Sequence, residues 1–557
     1  MDIKTFKSKI MKKFINILCT FLLFITNFSC DREWNNWEVD SNADGLFRPL
    51  TFEQSNLLAT SIEIAYSQVL NASHYVFEFS KDSLLFNEIV RRDTILRDTL
   101  TAYADNDSPM KVEFHTWFNK LEGETKYSVR MKAYSATSGK ETAYSSFFFE
   151  TPGEQIFTDA LAELDQVVLS WIPDNSVDFI RLFSKQTEGG YGAPVDYEIS
   201  SEEISSGSKV ITGLQMGTSY LAEIYSGEKR RGSITFRTSG LLDSQTLIVT
   251  TDMDGGDVQS QLETYVQEGV ESVSIIFYAG EYNMDKLKVP AGIRNLALVG
   301  MAETLDEDKS VLPLIHFKQF EFQGKDSDNS TLSYVSLENL NLQGLAESMF
   351  YMKDGSAAAI NISGCYLENY DVIVYMKNGG KRYESISLDN CIISQCKTLI
   401  DNTGGDQESI GKISITQSTL VNSGTWINSK KKGLQNITID KCTFYNHTFG
   451  TGNLFRFDVQ PASVIVTNVI FSGDNAGQLL GMYKNYDYID FSSCYITSDL
   501  QQAKYGFTNI NNYAGTSNDL FVNPENGDFH IKSIANFSGK KDAGDPRWGV
   551  EEKLNNN

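Results

Sequence analysis

One six-residue phrase occurs seven times in the second half of the chain, about every 25 residues. It reads Leu337-Glu-Asn-Leu340-Asn-Leu342, Ile362-Ser-Gly-Cys365-Tyr-Leu367, Leu388-Asp-Asn-Cys391-Ile-Ile393, Ile415-Thr-Gln-Ser418-Thr-Leu420, Ile439-Asp-Lys-Cys442-Thr-Phe444, Val466-Thr-Asn-Val469-Ile-Phe471 and Phe491-Ser-Ser-Cys494-Tyr-Ile496. Its fourth residue advances by 25, 26, 27, 24, 27 and 25. A period of that size belongs to stacked supersecondary units, none of which buries its apolar face alone. Apolar and polar residues alternate within each phrase as in a strand. The third position (Asn339, Gly364, Asn390, Asn468) holds residues that accept a positive φ. Two short strands and a tight turn per coil predict a right-handed parallel β-helix.

The N-terminus reads as an address. Lys4, Lys7, Lys9, Lys12 and Lys13 form a basic region ahead of an apolar stretch from Phe14 to Ile25. That stretch is shorter than the roughly 20 apolar residues that span a bilayer, so residues 1–29 are expected to be a signal peptide. Asn27-Phe-Ser29-Cys30 resembles the lipobox of bacterial lipoproteins, which implies a lipid on Cys30 and an outer-membrane anchor facing the exterior. Asp31-Arg-Glu33-Trp34 resembles the acidic export tether of Bacteroidetes surface lipoproteins, and residues 30–45 are expected to be tether.

The chain has a formal net charge of −24. Without residues 1–29, which hold five Lys and one Asp, 43 basic and 71 acidic residues remain. Nucleic acid and anionic membrane surfaces are therefore disfavoured partners, because both would be repelled. Cys365, Cys391, Cys442 and Cys494 share one template position and are expected to stack as free, buried thiols. In-register neighbours on parallel strands rarely have disulfide geometry. Cys396 has no assigned role. There is no Cys-x-x-Cys and no paired His, so the spacing assigns no metal ligand and no cofactor. Whether Ca²⁺ bridges the acidic surface to an acidic ligand is left open.

Two segments upstream carry a different signature. Leu121, Thr125 and Tyr127 are spaced as Leu214, Thr218 and Tyr220, and the two tyrosines lie 93 residues apart. Each is followed by a final strand, Phe147 to Thr151 and Ile234 to Thr238, and Val168-Leu-Ser-Trp171 supplies an early strand with a core Trp. A Tyr two residues beyond a Thr resembles the tyrosine corner of Ig-like sandwiches. The expected organisation is two fibronectin type III modules at 46–152 and 153–239, then a β-helix at 240–550. Between Asp257 and Gln267 helical spacing of Val258, Leu262, Tyr265 and Val266 predicts a short helix capping the first coil.

Leader, tandem modules, β-helix and the Asp545-Pro-Arg-Trp548 ending together resemble Bacteroidetes surface lipoproteins of polysaccharide-utilisation loci. The resemblance implies glycan capture, often of pectin, beside a SusC/SusD-like outer-membrane complex. It transfers no functional residue.

Candidate ligand contacts come from a third strand per coil, whose rows begin at Met349, Ile373, Leu399, Trp426, Leu454 and Leu479. Strict alternation puts Phe350, Val374, Ile400, Ile427, Phe455 and Leu480 inside. The outward set is then Tyr351, Lys353, Tyr375, Lys377, Leu399, Asp401, Trp426, Asn428, Lys430, Arg456 and Tyr483. Aromatic faces stack on sugar C–H surfaces, and Lys or Arg pairs with uronate carboxylates. The bland alternative is a solvated sheet face, with Trp426 covered by a loop and Lys430, Lys431 and Lys432 a plain charged turn. Catalysis needs more: a lyase uses a base beside an acidified proton, and a hydrolase uses two carboxylates flanking one bond. Asp401 and Asp458 each lack an acidic partner on their own strand, and Asn402-Thr-Gly-Gly-Asp406 matches polygalacturonase sequences only superficially. The expectation is thus a glycan-binding β-helix favouring a uronate polymer. A polysaccharide lyase or hydrolase is the first alternative, and a structural adhesin or accessory subunit the second.

Overall fold

The computed structural model describes residues 46–550 apart from 106–107, 174–175, 187–188, 307–308, 323–330, 353–355, 378–382, 405–409, 431–433, 448, 450–451 and 474–478. The leader, Cys30 and the tether lie outside the described residues, as do Lys353, Asp406, Lys431 and Lys432. The protein is almost entirely β, with fibronectin-like sandwiches ahead of a parallel solenoid of about eight turns.

In the first sandwich one sheet joins Phe52–Leu58, Ser61–Ser67, Ser108–Asn119 and Ala102–Asp105. The other joins Arg91–Leu96, His74–Ser80, Lys126–Tyr134 and Ser145–Glu150. Alternation fills the space between them with Ile62, Ile64, Tyr66, Tyr75, Phe77, Phe79, Val129 and Met131. The second sandwich pairs a three-stranded sheet, Phe157–Ala162, Gln166–Trp171 and Ser208–Thr212, with a four-stranded one. Trp171 is buried in its core. Both sandwiches carry the tyrosine corner. The Tyr127 hydroxyl accepts from the Glu122 N–H at 3.1 Å, and that of Tyr220 from the Gln215 N–H at 2.8 Å. Each corner has a second latch that spacing alone does not reveal. Thr151 Oγ1 accepts from the Thr125 N–H and donates to the Glu122 carbonyl, as Thr238 Oγ1 does with Thr218 and Gln215.

The second sandwich and the solenoid form one compact unit. One solenoid face is a ten-stranded parallel sheet, in which Leu337, Ile362, Leu388, Ile415, Ile439, Val466 and Phe491 sit in direct register. The other two faces branch from the long strand Leu314–Phe322, which pairs with both Asn341–Gln343 and Ser348–Tyr351. The repeat phrase is therefore the corner between the first and second faces. All seven third-position residues are left-handed, with φ from 48° at Gln417 to 62° at Gly364. The set includes Gln417, Lys441 and Ser493, where a side chain must accept a conformation costing about 1 kcal/mol or more. A second left-handed column, Asn369, Gln395, Asn422, Asn446 and Gly473, makes the next corner.

Free thiols serve those corners. Cys365, Cys391, Cys442 and Cys494 are buried, and each Sγ–H donates to the carbonyl two residues earlier at 3.2–3.5 Å. Ser418 does the same with its hydroxyl. Cys396 has the equivalent role at the second corner, donating to Ser394 O at 3.3 Å, where the next coil uses Ser423. A small weak donor that fits an apolar interior is what these positions need. Burial pushes the Cys391 and Cys396 thiols up to about 12 and that of Cys494 up to about 11. Maleimide labelling at pH 8 is therefore expected to spare all five cysteines in the folded chain and to modify them in guanidinium. Fast labelling of any of the five in the native state would contradict their placement.

The first coil is capped by a helix, and the C-terminal segment is clasped to the side of the stack. The helix Gly255–Gln267 is opened by a capping box between Asp254 and Asp257, and it buries Val258 and Leu262 against the first coil. Near the C-terminus the Asp-Pro-Arg-Trp segment folds back as a clasp. Thr419 Oγ1 donates to Asp545 at 2.7 Å and accepts from Trp548 Nε1 at 2.6 Å. Arg547 donates to the Asn390 carbonyl at 2.8 Å. On the sandwich side, Leu241, Ile276, Ala297 and Val299 form an apolar seam, with Leu164 packed against it. The Glu338 carboxylate, almost fully buried, accepts from the Gly240 N–H at 2.8 Å. Ser272–Phe277 and Asn295–Gly300 are consequently buried along all but their first residue, because both of their faces are covered.

Candidate functional site

The third face aligns six outward side chains in one column. Tyr351, Tyr375, Asp401, Asn428 and Arg456 are direct in-register neighbours on successive coils. Phe455 pairs with Met482, and the Tyr483 N–H donates to Phe455 O at 3.1 Å, so Tyr483 is the sixth rung. The pairing shifts the last row by two residues relative to the apolar alignment. Met482, not Leu480, is the counterpart of Phe455, although both are buried.

Two residues expected to face outward do not. Trp426 and Leu399 are 0% exposed. The Trp426 ring packs among Phe444, Phe455 and Phe471, with centroids 5.8, 5.8 and 5.9 Å away. The reason is local geometry. In Thr398–Asn402 and Thr425–Ser429 the second and third residues are both buried, and alternation begins only afterwards. The first of the two closes the corner between faces, where the chain changes direction and period 2 does not hold. Trp426 is therefore a core residue and not a ligand contact.

The remaining rungs are held by their neighbours. The rings of Tyr351 and Tyr375 lie 5.7 Å apart, tilted by 54°. Lys377 is exposed and places its ammonium 5.7 Å from the Tyr375 ring centre. Asp401 accepts from the Thr403 N–H at 3.0 Å and from Asn428 Nδ2 at 3.4 Å. The Arg456 guanidinium stacks on Tyr483 at 4.2 Å, a cation–π pair that fixes both groups at the surface. Asp458 sits 3.8 Å from Arg456 and 3.7 Å from Lys484, a residue beyond the end of the sequence-derived row. Lys430 is exposed two positions after Asn428. Among the described residues of this strip, Lys377, Lys430, Arg456 and Lys484 stand beside Asp401 and Asp458, a cluster of cations on an acidic protein. Such a strip focuses the potential felt by an anionic ligand. Among the described residues no three His, Cys, Asp or Glu side chains converge in a way that could hold a metal ion.

Residues 437–548 match a family model described as a domain of unknown function (DUF5123). That span runs from the fifth repeat through the clasp. No curated protein matches the chain. A two-domain fibronectin type III segment of chicken tenascin aligns at 15% identity, covering 34% of this chain and 97% of that one, with a TM-score of 0.22. The FN1-FN3 domains of chicken CNTN1 align at 15% identity over 34% and 68% of the two chains, with a TM-score of 0.13. The central fibronectin array of RIM-binding protein aligns at 13% identity over 36% and 71%, also with a TM-score of 0.13.

Proposed function

We propose that this protein binds an extended acidic polysaccharide along the third face of its solenoid. The reading rests on the in-register column Tyr351, Tyr375, Asp401, Asn428, Arg456 and Tyr483. Strand spacing repeats its polar and aromatic groups every ~4.8 Å, a grid suited to a polymer of regularly spaced sugar rings. The flanking cations favour uronate carboxylates, and homogalacturonan is the preferred candidate. Each rung contributes little and the column supplies avidity. The leader and Cys30 support an outer-membrane lipoprotein that presents the solenoid outside the cell, beside a SusC/SusD-like uptake complex.

Isothermal titration of residues 31–557 with hexagalacturonate provides the test. Arg456→Ala and Tyr483→Ala are each expected to weaken binding about tenfold, roughly 1.4 kcal/mol, because the two side chains orient each other. Both substitutions lie on the half-exposed surface, so melting temperatures should stay close to that of the parent. Unchanged affinity in both variants would remove the column as the binding site.

A further inference from the structure

A second recess lies on the opposite side of the same compact unit. It is a cleft of about 960 Å³ between the second sandwich and the corner joining the first two solenoid faces. One wall is the edge strand Phe157–Ala162, whose Leu161 is 54% exposed. The other wall is the left-handed corner column, with Asn339, Gly364, Asn390 and Gln417 on successive coils and Asn361 beside them. The walls are joined rigidly by the buried Glu338 contact to Gly240 and by the apolar seam. A preformed cleft of this size between domains is where small-molecule sites concentrate.

Its chemistry selects the ligand. Side-chain amides present donors and acceptors together, the pairing that sugar hydroxyls require. Leu161 offers one apolar patch for a ring face. Carboxylates outnumber cations, Asp159, Glu338 and Asp389 against Arg237 and Arg547, and both cations are already engaged. Arg547 donates to Asn390, Arg237 donates to Gly240 O at 2.9 Å, and Asp389 accepts from Thr416. An additional carboxylate would find no unengaged cation among these groups. The edge strand is poorly suited to pairing with a peptide, because the Ala160 N–H is capped by Asp159 Oδ1 at 2.8 Å.

We infer that this cleft is a second carbohydrate site, specific for a neutral oligosaccharide of three to four sugar units and independent of the acidic-polymer column. Titration of residues 31–557 with cellotetraose, xylotetraose, mannotetraose and β-1,4-galactotetraose tests this. At least one should bind saturably. Its affinity should fall at least tenfold both in Leu161→Asp, on the sandwich wall, and in Asn361→Ala, on the solenoid wall. Arg456→Ala should leave that binding unchanged while it weakens hexagalacturonate binding, which separates the two sites. Thermal melting of the cleft variants guards against misfolding. The inference is overturned if none of the four sugars binds, or if binding survives both cleft substitutions in folded protein.

Discussion

Trp426→Ala is expected to destabilise the solenoid by about 4 kcal/mol, within the range measured for large aromatic truncations in cores. The indole is fully buried among three phenylalanines. Solenoid stability is roughly a sum of coil terms and nearest-neighbour terms, so the damage should centre on the coils holding Phe444, Phe455 and Phe471. Hydrogen exchange should speed up there first, with coils near Phe277 less affected. Trp426→Phe should cost much less, because the indole N–H finds no hydrogen-bond partner among the described residues and its loss leaves nothing unpaired. A Trp426→Ala chain with parental denaturation midpoint would place the ring at the surface after all.

Gly300→Ala should cost about 3 kcal/mol for a different reason. Gly300 ends the strand Asn295–Gly300 and lies under the first left-handed corner. A Cβ there would land on the Asn339 carbonyl oxygen and against Pro313. Backbone on one side and a proline ring on the other leave no flexible atom to give way, so the first coils must separate. The loss should appear as a lower chemical-denaturation midpoint with unchanged melting of the first sandwich. Equal midpoints for variant and parent would mean that the coils are less tightly stacked here than described.

The solenoid was legible because its corners repeat. A small or left-handed-tolerant residue stands at the third position of five of the seven phrases, and a compact core residue follows it. The sandwiches were legible because each tyrosine corner depends on residues five apart. The third face was only half legible. Its outward column followed from alternation, but Trp426 and Leu399 fall at a corner, where alternation fails. Leu480 and Met482 are both buried, so apolarity alone could not choose between two registers for the last rung. The clasp was recognisable as a motif, yet its partners were not. Asp545 meets Thr419 across 126 residues, and no local pattern encodes that contact. The cleft follows from domain docking through Glu338 and Gly240, 98 residues apart, and was illegible for the same reason.

The most direct test of the acidic-polymer reading is how affinity depends on ligand length. Six rungs at a coil spacing of ~4.8 Å extend over roughly 24 Å. Titration of residues 31–557 with galacturonate oligomers of two to eight units should show affinity rising steeply and levelling off once a ligand spans the column. An affinity already maximal for the dimer, or no binding at any length, would contradict a binding site built from successive coils.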